Sequence, residues 1–145
     1  MFIENPLNSS ELTFPVLECF HIVGFIVAIG SVALVDFRLL GLCLRHQTPG
    51  QLTNDTNLWT IIGLTVSVFA GLLLFSTDPD KYYLNSPFLV KIGCLALAIV
   101  FNYTIHRKVI FSRASPASSR AVACVSLGLW VLVVFGGMLV SFTAI

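Results

Sequence analysis

Charge is scarce in this sequence, whereas long apolar stretches are abundant. Of its 145 residues only 10% are Asp, Glu, Lys or Arg, and 57% are hydrophobic. Ordinary soluble domains carry about 25% charged residues. A water-soluble domain of this size has too little interior to hide so much apolar surface. The composition therefore excludes an ordinary soluble domain and favours a protein that exposes its side chains to lipid.

The chain also lacks the motifs of common soluble enzymes and metal sites. It has no nucleophile elbow, no phosphate-binding loop and no H-E-x-x-H sequence. Its four cysteines form no C-x-x-C pair, and a buried cysteine usually behaves as a small hydrophobic residue. The first charged residues are Glu4, Glu11 and Glu18 rather than the basic residues that begin a signal peptide, so we expect the first apolar block to be retained. These observations do not decide whether the chain is an enzyme.

Four apolar blocks in the sequence are long enough to cross a bilayer. About 20 mostly apolar residues span about 30 Å of hydrocarbon. The blocks cover residues 14–44, 58–75, 88–110 and 121–142, and polar segments containing proline or glycine separate them. We therefore predict one integral membrane domain over residues 1–145. Its fold class is all-α, a bundle of four transmembrane helices with the lipid bilayer as its partner.

Basic residues lie mostly on one side of the predicted bundle. Six of them flank or occupy the first and third loops: Arg38, Arg45, Arg107, Lys108, Arg113 and Arg120. By the positive-inside rule these two loops are cytoplasmic, so both termini are predicted to be non-cytoplasmic. The basic residues follow the membrane surface without an aromatic reading surface, and nucleic acid is therefore not an expected partner.

Ionisable residues inside the first block are candidates for function, because such residues are costly in a membrane. The block contains Glu18, His21 and Asp36. At 100° per residue Glu18 and Asp36 lie on the same side of a helix, and His21 lies about 60° away. Arg38 points to nearly the opposite side, where we expect it to reach lipid headgroups.

The third block carries a second polar stripe, formed by Lys91, Asn102 and His106. Because the first and third helices run in the same direction, Lys91 lies at the depth of His21. His106 lies at the other end, about 20 Å or more from His21, so the two histidines cannot hold one metal or haem within a single chain.

Depth therefore predicts two separate groups of polar residues. The first is a candidate binding site near the outer surface, and its members are His21, Lys91, Glu18 and Met138. The second polar cluster consists of Asp36, Asn102 and His106.

Each candidate also has a purely structural interpretation. His21 can bond a neighbouring helix, Lys91 can extend to the surface or pair with Asp78, and His106 can be an interfacial residue. Met138 is more often a packing residue than a ligand. Small residues in the first, second and fourth blocks permit close helix packing or make room for a flat cofactor.

Three segments between His21 and Gly41 resemble a known sequence pattern. His21-Ile-Val-Gly24, Gly30-Ser31 and the segment from Val35 to Gly41 match "HxxG…GS…vDxRLLG". This pattern resembles an uncharacterised family of small four-helix bacterial inner-membrane proteins. The resemblance extends over nearly the whole chain and implies a multi-pass protein of the bacterial inner (cytoplasmic) membrane.

A more distant similarity concerns three positions: a histidine in the first helix, a lysine that opens the third and a histidine that closes it. This arrangement is similar to the bacterial four-helix membrane protoporphyrinogen oxidase and to the membrane domain of copper-resistance D proteins. The oxidase family is associated with b-type haem. Carried over by position, the resemblance implies functional roles for His21 and Lys91, with His106 as a weaker match.

These arguments predict a haem b-binding membrane protein for electron transfer or redox chemistry near the outer leaflet. His21 is the expected axial ligand and Lys91 the expected charge partner, and a redox partner is implied. Two alternatives remain open. One is a non-catalytic structural subunit of a larger membrane complex, and the other is a small transporter or proton-relay protein that uses Glu18, Asp36 and His106.

Overall fold

The structure is a computed structural model that describes residues 5–143, and these residues are almost entirely helical. A short 3-10 turn, Pro6–Ser9, precedes the first long helix. The α-helices are α1 (Thr13–Leu39), α2 (Pro49–Thr77), α3 (Pro79–Tyr83), α4 (Ser86–Phe101), α5 (Arg107–Phe111) and α6 (Pro116–Thr143). A π turn, Asn102–His106, joins α4 to α5.

Among residues 5–143, four helical segments are long and apolar enough to cross a membrane, as predicted. They are α1, α2, the continuous segment Ser86–Phe111 and α6. At most a third of the most apolar stretch of each segment is buried inside the protein. Large apolar side chains such as Phe20, Phe69 and Phe135 are more than half exposed, which is expected where lipid is the solvent. The chain is therefore a multi-pass membrane protein.

The first helix ends at Leu39, earlier than the predicted limit at Leu44. Gly41 has φ of +75°, a left-handed conformation that glycine adopts without steric cost. The amide of Gly41 donates to the Arg38 carbonyl at 3.0 Å, and that of Leu42 donates to the Phe37 carbonyl at 2.9 Å. These two bonds form a Schellman motif, which stops the helix before the apolar sequence ends.

The second helix begins at Pro49, nine residues before the predicted start at Leu58. A capping box fixes this start: the Thr48 hydroxyl accepts from the Gln51 amide at 3.2 Å, and the Gln51 side chain accepts from the Thr48 amide at 3.1 Å. Proline at the first helical position is already suited to the helix. The first two turns are polar, so hydropathy alone missed them.

Helices α1 and α2 approach each other most closely at two glycines. A Cβ built on Gly63 would lie 2.6 Å from the Gly24 carbonyl oxygen, and one on Gly24 would lie 2.7 Å from the Gly63 carbonyl oxygen. Real Cβ atoms do not approach backbone so closely, so both positions require glycine. In lipid such close contact supplies the packing that holds helices together. Helix α6 packs against α4, and the two pairs meet mainly through α1 and α6.

A dry apolar layer crosses the middle of the bundle. All four spans contribute to it, and its buried members are Ala28, Val32, Leu64, Ala98, Trp130 and Val133. Polar residues lie on either side of this layer. On one side is the end of the bundle that contains Asn5, the α2–α4 connection and Thr143, which we call the terminal end. On the other side are the loops at residues 40–48 and 112–115, which we call the basic end.

Side-chain amides fasten the terminal end. The amide of Asn5 donates to the Ser76 carbonyl at 2.7 Å, and that of Asn8 donates to the Thr77 carbonyl at 3.1 Å. Asn85 caps α4 and also donates to the Thr143 hydroxyl at 3.0 Å. The 3-10 turn and the end of α6 are thereby tied to the α2–α4 connection.

Candidate functional site

His21 lies in α1 toward the terminal end, and α2 fixes its ring. Its Nδ1 lies 2.7 Å from the backbone carbonyl oxygen of Ser67, which can only accept a hydrogen bond. Nδ1 therefore carries the proton, and the neutral ring keeps its lone pair on Nε2. The Ser67 hydroxyl donates to the His21 carbonyl at 3.0 Å, which joins the same two residues a second time.

Lys91 of α4 faces the free lone pair of His21. Its Nζ lies 3.2 Å from His21 Nε2 and 5.3 Å from the centre of the Phe25 ring. Among residues 5–143 the single salt bridge is elsewhere in the bundle, so Lys91 has no carboxylate partner there, and the alternative pairing with Asp78 is absent. Lys91 Nζ and His21 Nε2 thus meet inside the membrane spans as hydrogen-bond donor and acceptor, and the lysine has no carboxylate partner among residues 5–143. We call His21, Ser67 and Lys91 the histidine–lysine cluster.

Three glycines make room for this cluster. A Cβ on Gly71 would lie 2.9 Å from His21 Cε1, and one on Gly137 would lie 3.3 Å from Lys91 Nζ. A Cβ on Gly136 would lie 3.1 Å from the Lys91 Cβ. Larger residues at these positions would push the two side chains, so the glycines of α2 and α6 set where the nitrogens meet.

The donor set of the cluster suits axial ligation of a haem iron. A ligating histidine usually donates its other ring N–H to a carbonyl or carboxylate, which fixes the tautomer and raises ligand basicity. Ser67 supplies such a carbonyl to His21. An amine opposite the imidazole is a possible second ligand, and among the described residues no group of three His, Cys, Asp or Glu side chains could hold a bare metal ion. The cluster therefore offers one oriented imidazole and one amine as nitrogen ligands.

The structure does not bring the other two predicted members into this cluster. Met138 is 51% exposed, because the preceding turn of α6 already faces Lys91 through Gly136 and Gly137 and the next residue points away. Glu18 lies partly exposed near Tyr82 of α3. Burial raises the pKa of the Tyr82 hydroxyl, and the negative charges of Asp78 and Glu18 raise it further.

The second polar group contains a buried carboxylate with both oxygens satisfied. Asp36 is 0% exposed. Its Oδ1 lies 2.6 Å from His106 Nε2, and its Oδ2 accepts from the Ser126 hydroxyl at 2.7 Å. The partners come from the π turn and from α6. We call Asp36, His106 and Ser126 the aspartate–histidine cluster.

Asn102, the third predicted member of the second group, lies beside His106 at a small cavity and not against Asp36. The cavity has a volume of about 20 Å³, and its polar lining includes Thr53, Asn57, Thr60, Asn102, His106 and Arg107. Arg107 donates to the Asn57 side chain at 2.6 Å and lies over the Tyr103 ring. Such a volume is sufficient for about one water molecule.

Arg38, predicted to reach lipid headgroups, is partly exposed and bonded to the first loop. Its Nε donates to the Gln47 carbonyl at 2.6 Å. The side chain thereby joins the end of α1 to the first loop, since the Schellman turn brings that loop back past the helix end.

Comparison with family profiles finds one match, which covers residues 12–143 of the chain and so includes all four spans and both clusters. The chain belongs to DUF6644, a family of unknown function. No curated protein and no solved structure gives a significant match, so the more distant similarity to the oxidase and copper-resistance groups rests on the quoted residues alone.

Two residues that complete the clusters of this DUF6644 protein were not predicted from its sequence. Ser67 belongs to a stripe with Gly63 and Gly71, and these small residues predicted close packing or room for a flat cofactor but no hydrogen bond to His21. Ser126 has no signal in the sequence, because serine is common in transmembrane helices and only the fold brings it to Asp36.

Proposed function

We propose that this protein binds haem b within the membrane and uses it for electron transfer or related redox chemistry. The supporting observation is the convergence of His21 Nε2 and Lys91 Nζ at 3.2 Å, with the His21 tautomer held by the Ser67 carbonyl. Bound haem would supply one-electron oxidation and reduction of its iron, at a potential that depends on the axial ligands and the surrounding polarity.

In this proposal His21 would hold the iron through Nε2, and Lys91 would hold the group either as a second nitrogen ligand or as a cation beside a propionate. A lysine can serve in either way because its ammonium is flexible and readily loses its proton when buried. Ser67 is a positioning residue, since it contacts the imidazole of His21. Gly71, Gly136 and Gly137 lie against the His21 and Lys91 side chains and leave no room for a larger residue there.

The site lies toward the terminal end of the bundle, which we assign to the non-cytoplasmic side of a bacterial inner membrane. Support comes from the charge distribution: the other end contains Arg45, Arg113 and Arg120 in or beside its loops, and positive charge favours the cytoplasmic side. The haem would then exchange electrons with a partner at the outer leaflet.

The test is an absorption spectrum of the detergent-purified protein, first oxidised and then reduced with dithionite. Wild type from haem-replete cells is expected to show a Soret band, with α and β bands that sharpen on reduction. His21→Ala should abolish the Soret band, and Lys91→Ala should retain part of it with altered band positions. The matched control is His46→Ala, because His46 is an exposed loop residue and its loss should change nothing.

Full haem content in the His21→Ala variant would contradict the proposal, as would a featureless wild-type spectrum. The second result would favour the structural-subunit interpretation, and the next measurement would then be which membrane proteins co-purify with the chain.

A further inference from the structure

We propose that the aspartate–histidine cluster is a protonation site that exchanges its proton with water at the basic end of the bundle. This protonation site does not depend on the haem proposal. At the site, the His106 ring carries protons between a water in the adjacent cavity and the Asp36 carboxylate.

The first observation is that Asp36 has no fixed positive partner. A fully buried carboxylate in a membrane needs compensation, and Asp36 has only a histidine and a hydroxyl. Ser126 from α6 does not titrate. The cation Arg107 lines the cavity, but its guanidinium is bonded to Asn57 of α2. The charge of Asp36 is therefore balanced by a proton on His106 or removed by a proton of its own.

The second observation concerns the other face of the imidazole. His106 is 2% exposed and its Nε2 faces Asp36, whereas its Nδ1 has no hydrogen-bond partner among residues 5–143. The side-chain amide of Asn102, a residue that is 9% exposed, also has no partner among the described residues. Both residues line the cavity of about 20 Å³. One water there would satisfy both, since a buried water needs two to four polar partners.

The third observation is the π turn itself. Asn102–His106 interrupts the third span toward its basic end, and π turns in long helices frequently mark functional sites. The extra residue widens the turn where His106 meets Asp36 and the cavity. The irregular backbone therefore lies at the cavity, as expected where a span contributes to a polar site.

The fourth observation fixes the side from which protons arrive. The dry layer that contains Val32, Ala98 and Trp130 separates this cluster from the histidine–lysine cluster. The cavity lining instead continues through Asn57 and Thr53 toward Pro49, where α2 begins at the basic end. In this proposal the cluster exchanges its proton with the basic end only.

Two proton transfers, through the two ring nitrogens of His106, protonate Asp36. A hydronium ion in the cavity gives a proton to Nδ1 of His106, and Nε2 passes its own proton to Oδ1 of Asp36. The products are water, a neutral imidazole protonated at Nδ1 and a neutral carboxyl. Histidine serves commonly as such a shuttle because its two nitrogens can exchange roles.

The experiment is infrared difference spectroscopy of the full-length protein in nanodiscs, titrated from acidic to alkaline buffer. Wild type should show a protonated-carboxyl band that titrates with pH, and isotope-labelled aspartate should shift it. Asp36→Asn should remove the band. Asp55→Asn is the matched control, because Asp55 is exposed on α2 near the same end, and it should leave the band intact.

A second measurement tests the shuttle and remains usable if Asp36→Asn does not fold. Exchange of the carboxyl hydrogen for deuterium is followed in His106→Gln, which keeps a polar partner for Asp36 but cannot pass a proton through a ring. Loss of a positioned proton-transfer group should slow exchange by about 100-fold. Exchange at the wild-type rate in His106→Gln, or the absence of any titrating aspartate band in wild type, would overturn the proposal.

Discussion

The two polar clusters of the bundle differ in the partners of their ionisable groups. In the aspartate–histidine cluster both carboxylate oxygens have hydrogen-bond partners, at 2.6 and 2.7 Å. In the histidine–lysine cluster Lys91 Nζ donates to the lone pair of His21 Nε2 at 3.2 Å, and no carboxylate among the described residues pairs with Lys91. The first arrangement satisfies a buried carboxylate within the bundle, whereas the second leaves an amine without a carboxylate partner among the described residues.

The largest expected loss of stability comes from disrupting the aspartate–histidine cluster. Asp36→Ala leaves His106 and Ser126 buried without their acceptor, and removing one member of a buried pair costs about 3–5 kcal/mol. The free energy of unfolding, measured by denaturant titration in detergent micelles, should fall by that amount. Asp55→Ala, at an exposed position, should change it by less than about 0.5 kcal/mol. Equal effects of the two substitutions would contradict the buried pair.

Gly63→Ala should rank next, because it disrupts the contact that places Ser67 beside His21. The added Cβ would lie 2.6 Å from the backbone of α1, and overpacking of this kind costs about 1–3 kcal/mol. The measurement is again the free energy of unfolding. Gly30→Ala is the control: a Cβ there has no neighbour within 4 Å, and alanine is a better helix former than glycine, so stability should be unchanged or raised. A destabilised Gly30→Ala variant would argue against steric contact as the cause.

Lys91→Met distinguishes the two clusters, because its expected effect on the stability of the haem-free protein is opposite in sign to that of Asp36→Ala. It removes a buried ammonium that has no carboxylate partner, so haem-free protein should be unaffected or stabilised by about 1–2 kcal/mol. Thermal unfolding of haem-free protein, prepared from haem-depleted cells, measures this change. A loss of stability as large as that of Asp36→Ala would mean that both clusters are purely structural.

The smallest expected effect is a change in the pKa of Tyr82, which tests whether Glu18 acts there and not on the histidine–lysine cluster. Glu18→Gln removes one of the negative charges that raise the pKa of Tyr82, so that pKa should move down toward its ordinary value. Ultraviolet titration of the tyrosines measures the shift, and Asp80→Asn, an exposed neighbour, is the control. Any Soret band should be unchanged in Glu18→Gln, and a changed band would return Glu18 to the haem site.

The sequence was sufficient for the spans and for the depth of each polar residue. Apolar length predicts the four helices, and the rise of an α-helix puts His21 level with Lys91 and Asp36 level with His106. The sequence did not predict features that depend on local backbone geometry. Hydropathy does not show the Schellman turn at Gly41, the polar first turns of α2 or the π turn. The capping residues Thr48 and Gln51, however, can be recognised in the sequence.

Partners from other helices were the hardest part to predict. Ser67 and Ser126 meet their histidine and aspartate only after the helices pack. Adjacent residues of α6 also face different directions, since Gly137 faces Lys91 and Met138 faces outward. A sequence gives the depth of each residue along its helix but not the rotation of each helix about its axis. That rotation depends on close contacts such as those of Gly24 and Gly63.

The distribution of partners along the chain has a consequence for biogenesis. His21 is bonded by Ser67, which belongs to the same first helical hairpin and is synthesised well before the second. Asp36 has both of its partners, His106 and Ser126, in the second half of the chain. A ribosome therefore delivers to the insertion machinery a first hairpin with an unaccompanied carboxylate. Residence of that hairpin beside the translocon until α6 emerges would shield Asp36 from lipid, and the aspartate would act as a checkpoint for completed assembly.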